Sequence, residues 1–251
     1  PYYLEELQED LGTPDLVVVL DSGLGDYERI WVTESLRGLV GGTLTVSVTS
    51  EGVHSGMASG VIPSSFRLTR QLLSRLEDEE TGELIPDWLH IDISDQLRAD
   101  SAEIVSVLGE ALITDFPFLD GVRPQHEDLV EALLAQNWKP TLSITGADGM
   151  PTLANAGNVL RPYTQLQLSM RIPPLVDPKK AQGALEKALL KNPPYNARVT
   201  VDFEESAAGW NAPETEKWLS GAMNNASETH FGESSCSLGE GGTIPFMAML
   251  G

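Results

Sequence analysis

A single cysteine, Cys236, excludes any intrachain disulfide and any multi-cysteine zinc module in this chain of 251 residues. Positive charge is scarce as well. Lys and Arg total 16 against 37 Asp and Glu, a formal net charge of −21. Such a field repels phosphate backbones and anionic lipid headgroups, so neither nucleic acid nor a membrane is an expected partner, while cationic groups and metal ions remain open. No apolar run approaches the ~20 residues that span a bilayer, and no segment reads as a basic-then-apolar leader, so a cytoplasmic location is expected. There are only four histidines, and no two of them stand at metal-ligand spacing. What remains is an ordinary globular composition, 41% hydrophobic and 21% charged, long enough for a real core. The chain opens on Pro1 and stops on Gly251 directly after the apolar run 244–250, which reads as a piece of a longer protein.

Two kinds of strand pattern alternate along the chain. Leu16–Leu20 (LVVVL), followed by Asp21-Ser22-Gly23, reads as a strand buried on both faces, as does the apolar run Ile244–Leu250. Arg29–Thr33 is a further short strand, and Gly38, Gly41 and Gly42 suggest a hinge. The middle differs. Leu44, Val46 and Val48 alternate with polar residues, as do Leu166, Leu168, Met170 and Ile172, and Val199, Val201 and Phe203, so three strands have one polar face. Helices are predicted over 63–76, with Phe66, Leu72, Leu73 and Leu76 on the apolar side, and over 101–112, 125–138 and 212–225. Another runs from the N-cap pair Asp177-Pro178 to about Lys191. The acidic run 77–83 reads as a solvated turn, and 141–144 as a strand. The fold class expected is α/β, a parallel-sheet domain interrupted by an inserted α+β domain. The boundaries are 1–38, 39–198 and 199–251.

Few residues stand out chemically. Asp21 follows a buried strand, at the edge where α/β sheets bind ligands, and would serve as metal ligand or base, or equally as a turn-forming Asp. His54 lies in the loop Val53-His54-Ser55-Gly56 among small neighbours, open to a hydrogen-bonding or titrating role or to none. Arg171 is on the polar face of a strand, suited to gripping a carboxylate or to a surface ion pair. Gly239–Pro245 (GEGGTIP) lets backbone approach a ligand, or simply turns into the next element.

Taken in order, Asp21 after LVVV, VHSG at 53–56, GNVLRP at 157–162, LSMRIPPLVDP at 168–178 and GEGGTIP at 239–245 resemble the zinc-dependent dipeptidase, carboxypeptidase and aminoacylase metallopeptidases, carnosinase and cytosolic non-specific dipeptidase among them. The resemblance implies a catalytic domain with an inserted ferredoxin-like lid that dimerises. It implies hydrolysis of dipeptides or related acyl-amino-acid amides beside a free carboxylate, with two zinc ions in the parent protein. By the same resemblance Asp21 is a zinc ligand. His54 polarises the scissile carbonyl in the partner subunit's site, Asn158 lies near the substrate, Arg171 holds the substrate carboxylate, and Gly241, Gly242 and Thr243 line the pocket. The family's remaining metal ligands and its general-base Glu have no counterpart here, so the fragment is expected to hold no zinc pair and to be inactive. The alternative is a non-catalytic dimerising module or a degenerate paralogue.

Overall fold

The structure is a computed structural model and describes residues 2–250. Its centre is a four-stranded antiparallel sheet, built from β2 (Gly38–Ser47), β4 (Thr141–Asp148), β6 (Tyr163–Ile172) and β7 (Arg198–Phe203), in the order β4-β6-β2-β7. Beside it lies a three-stranded sheet in which β1 (Trp31–Leu36) pairs parallel to β9 (Cys236–Glu240) and antiparallel to β8 (Trp210–Asn211). A two-stranded ribbon joins β3 (Val53–His54) to β5 (Val159–Leu160). The helices of nine or more residues are α1 (Ser65–Leu73), α2 (Asp95–Leu108), α3 (Leu129–Asn137), α4 (Pro178–Leu190) and α5 (Lys217–His230).

The large sheet forms where the sequence alternates. In β6, residues 164, 166, 168, 170 and 172 are all buried while their neighbours are half-exposed. One register therefore sends every apolar side chain to one face. There Val40, Leu44, Val46, Leu166, Leu168, Met170 and Ile172 meet Leu68 and Leu72 of α1 and Ala181, Leu185 and Leu189 of α4. Burying each Leu, Ile or Met contributes about 1.5–3 kcal/mol, which makes this layer the main source of stability. The opposite face carries a polar ladder: Thr43 donates to Gln167 at 2.7 Å, Gln165 to Thr45 at 2.9 Å and Gln167 to Glu204 at 2.8 Å. Asp177 caps α4 as its sequence demands, accepting the backbone N–H groups of Lys179 and Lys180. The path β2–α1–β4, β6–α4–β7 is the split βαβ arrangement of a ferredoxin-like unit. The mixed α/β class and the ferredoxin-like insert are thus as expected.

Several local expectations fail. Leu16–Leu20 is not a strand; no strand edge among the described residues pairs with it, and Leu20 is 95% exposed. An apolar run becomes a buried strand only where an edge and two covering layers receive it. The run 244–250 is a helix over Pro245–Leu250. Proline there lacks the N–H a sheet would use, and its fixed φ suits a first helical turn. In α1 Phe66 is exposed while Leu68 takes its place in the core, and Pro63 precedes the N-cap Ser64 rather than entering the helix. The C-terminal helix starts at Lys217, because Trp210–Asn211 pairs with β1 and Ala212 donates to the Glu34 carbonyl. The glycines of 38–42 make no hinge. They lie inside β2, where a Cβ on Gly42 would fall 2.8 Å from the Asp202 carbonyl oxygen, so close strand approach requires them. The change of sheet happens at one residue, Arg37.

Candidate functional site

Arg171 closes one end of β6, opposite Leu39 of β2 and Thr141 of β4. It lines a cavity of about 550 Å³ with Arg37, Asn137, Glu240, Gly241 and Gly242. Its Nη1 donates to Thr243 Oγ1 at 2.9 Å, and that hydroxyl donates to the Arg37 carbonyl at 2.6 Å. Arg37 is 8% exposed. Its Nε donates to the Gly241 carbonyl at 3.2 Å. Its Nη1 faces the carbonyls of Ala135 and Lys139 and the Thr141 hydroxyl, at 3.1–3.2 Å. Burial, and then the neighbouring charge of Arg171, push the Arg37 guanidinium down to about 10. Among the described residues neither arginine forms an ion pair. The cavity lining thus carries two guanidiniums, Arg37 and Arg171, and two carboxylates, Asp115 and Glu240.

The cavity wall is tightly specified. A Cβ on Gly241 would lie 2.7 Å from the Gln136 carbonyl oxygen and 2.9 Å from Arg37 Nη2. One on Gly239 would lie 2.5 Å from Ser35 Oγ. Ser35 Oγ and Asn137 Oδ1 are buried there without hydrogen-bond partners among the described residues. Across the cavity Glu240 accepts from Ser22 Oγ at 2.5 Å and from the Gly23 N–H at 2.6 Å. The 21–25 segment is thereby held at the rim, with Gly23, Leu24 and Gly25 on the lining. Asp21 itself is exposed and makes no hydrogen bond among the described residues.

His54 and Asn158 belong to a second cluster. His54 heads the short helix Ser55–Ala58, and its Nδ1 accepts the Gly56 N–H at 3.2 Å. The proton of a neutral ring then sits on Nε2, facing outward as a donor. Asn158 lies opposite, its carbonyl accepting the Ser55 N–H at 2.9 Å. This ribbon continues from the Ser47–Tyr163 end of the β2/β6 ladder, whereas Arg171 is at the other. Eight residue steps separate Tyr163 from Arg171, about 26 Å at the usual strand rise. His90 is tied to the Leu84 carbonyl at 2.6 Å, a local structural contact.

The structure thus brings Arg171, Gly241, Gly242 and Thr243 together, brings His54 and Asn158 together elsewhere, and leaves Asp21 at the first cavity's rim. Sequence reading missed Arg37 and Asn137. The signal for Arg37 is its setting in Ser35-Leu36-Arg37-Gly38-Leu39, a lone charge in an apolar stretch. As for a metal, no group of three or more His, Cys, Asp or Glu side chains converges among the described residues. These residues do not make the donor set of a zinc pair.

A model of the peptidase dimerisation domain matches residues 35–197, more than half of the chain. The chain belongs to that family. The match bears out the resemblance to zinc-dependent peptidases drawn from the motifs. Solved structures share the fold. The dipeptidase Dug1p of Saccharomyces cerevisiae is 22% identical with a TM-score of 0.69, over 89% of this chain and 46% of that one. Human carnosine dipeptidase 1 is 18% identical with a TM-score of 0.66, over 89% and 47%. The M20 family metallo-carboxypeptidase Sso-CP2 of Sulfolobus solfataricus is 19% identical with a TM-score of 0.73, over 99% and 55%. The peptidase dimerisation domain chain therefore spans about half the length of the structures it matches. No curated protein sequence matches it. Among the described residues no helix is long and apolar enough to cross a membrane.

Proposed function

We propose that this chain is the lid and part of the catalytic domain of a cytoplasmic zinc metallopeptidase that cleaves dipeptides or acyl-amino acids beside a free carboxylate. The observation that carries the proposal is Arg171, without an ion pair among the described residues, lining a cavity with Gly241 and Gly242 while Thr243 holds its Nη1. A carboxylate there receives a planar pair of N–H donors from Arg171, on a lining that also carries Asp115 and Glu240. The lid in this reading is the unit built on the four-stranded sheet, so its second boundary falls after β7 at Phe203. His54 and Asn158 act on a substrate held by another copy, a reading supported by the length of the β2/β6 ladder. There the outward Nε2–H would stabilise the oxyanion of the tetrahedral intermediate. Asp21 would be one metal ligand, and the other donors are not among these residues.

The chain alone is proposed to be a dimer without peptidase activity. Sedimentation equilibrium and an assay of Gly-Gly hydrolysis with added zinc test this together. A dimer that leaves the dipeptide intact is the expected result. A strict monomer would remove the partner role of His54, and zinc-dependent turnover by the chain would overturn its inactivity. A second reading, a dimerising module with no catalytic parent, draws on the confinement of the family match to residues 35–197. A parent protein containing the chain and hydrolysing dipeptides excludes it.

A further inference from the structure

Arg37 stands at the only residue between β1 and β2, and both its backbone and its side chain hold the loop that follows β9. Its carbonyl fixes the Thr243 hydroxyl proton, so the lone pairs of that oxygen point to Arg171 Nη1. Its Nε holds the Gly241 carbonyl, and its Nη1 holds two carbonyls at the end of α3 and the first side chain of β4. Nη2 forms no hydrogen bond within the described protein and lies against Gly241 on the cavity wall. Among the described residues Arg171 itself is engaged only through Nη1, leaving Nε and Nη2 for a ligand. A flexible side chain held at one donor by a hydroxyl, which is in turn held by backbone, loses little entropy when it grips a carboxylate.

We infer that Arg37 and Thr243 are positioning residues of the carboxylate subsite. Thr243 aims the Arg171 fork into the cavity, and Arg37 fixes Thr243 and the Gly241 wall while presenting its own free N–H edge beside it. The ligand class is an N-acyl amino acid or a peptide C-terminus, whose single carboxylate lies between the two guanidiniums. The inference rests on Arg171 being the carboxylate-binding residue of the proposed peptidase.

The test is a titration of the ¹⁵N-labelled chain with N-acetylglycine, following the arginine Nε–Hε NMR signals, with uncharged N-acetylglycinamide as control. The acid is expected to shift the Arg171 and Arg37 signals saturably, and the amide to leave them in place. Thr243→Val, which keeps the shape and removes the relay, is expected to weaken binding about tenfold, the effect of losing one charge-assisted hydrogen bond. Thr243→Ser is expected to restore it. Arg37→Lys keeps the charge but not the fork and is expected to weaken binding by a similar factor. Unchanged affinity in Thr243→Val and Arg37→Lys, with only a lowered melting temperature, would overturn the positioning role while leaving Arg171 in place. If Arg171→Ala binds the acid as well as the unmodified chain, or neither binds it, the carboxylate reading itself is lost.

Discussion

Ser65 and Thr164 show how much a single polar contact decides in this core. Both are buried, on α1 and β6, and their hydroxyls meet at 2.9 Å. Removing one partner orphans the other. Ser65→Ala is expected to cost about 1–3 kcal/mol, while the double change with Thr164→Val should recover most of it. Urea denaturation of the two variants checks this, and additive losses would contradict it. Gly241 is constrained by packing instead. Gly241→Ala pushes a methyl into the Gln136 carbonyl and Arg37, so a loss of N-acetylglycine binding greater than any loss of melting temperature is expected. Arg37 was hard to read at this scale because an isolated Arg beside a Gly looks like surface charge. Its burial depends on carbonyls from 98 to 204 residues away.

Elements were legible where periodicity was strong. The alternations at 43–48, 165–172 and 199–203 became β2, β6 and β7 with their apolar sides inward, because a period of two admits only one facing. The solid apolar runs 16–20 and 244–250 carry no facing information, and one became exposed coil and the other a helix. Leu168→Ala, at the centre of the covered face, is expected to cost about 2–5 kcal/mol by chemical denaturation. The α2/α3 pair depends on charge. Glu131 bridges Arg98 of α2 and Lys139, the latter at 2.7 Å. The hydrogen bonds from Lys139 and Arg98 draw its carboxyl from 4.5 to about 2. A lowered carboxyl contributes stability that is fully present above its unfolded value and fades as pH falls toward the folded one. The Glu131→Gln variant should therefore lose less stability than the parent between about pH 4.5 and pH 2. Parallel melting curves for the two proteins would contradict that assignment.

For the molecule as a whole, a net charge of −21 opposes any meeting of two copies. Self-association of the chain should therefore tighten as salt rises from about 20 to 200 mM, where the screening length falls toward 10 Å and below. Sedimentation at several ionic strengths measures this; association that weakens with salt would mean that opposite charges pair across the interface. The two-site layout was only partly legible in the chain. Motifs named Arg171 and His54, but nothing in their spacing revealed that a ladder of ten residue pairs lies between their neighbourhoods. The join at Arg37 has a mechanical consequence. The two sheets are connected through one residue, and Leu39 of β2 bridges Ala207 in the segment that leads to β8. A rotation of the large sheet would therefore be passed to β1 and, through the Arg37 contacts with Gly241 and Thr243, to the loop after β9.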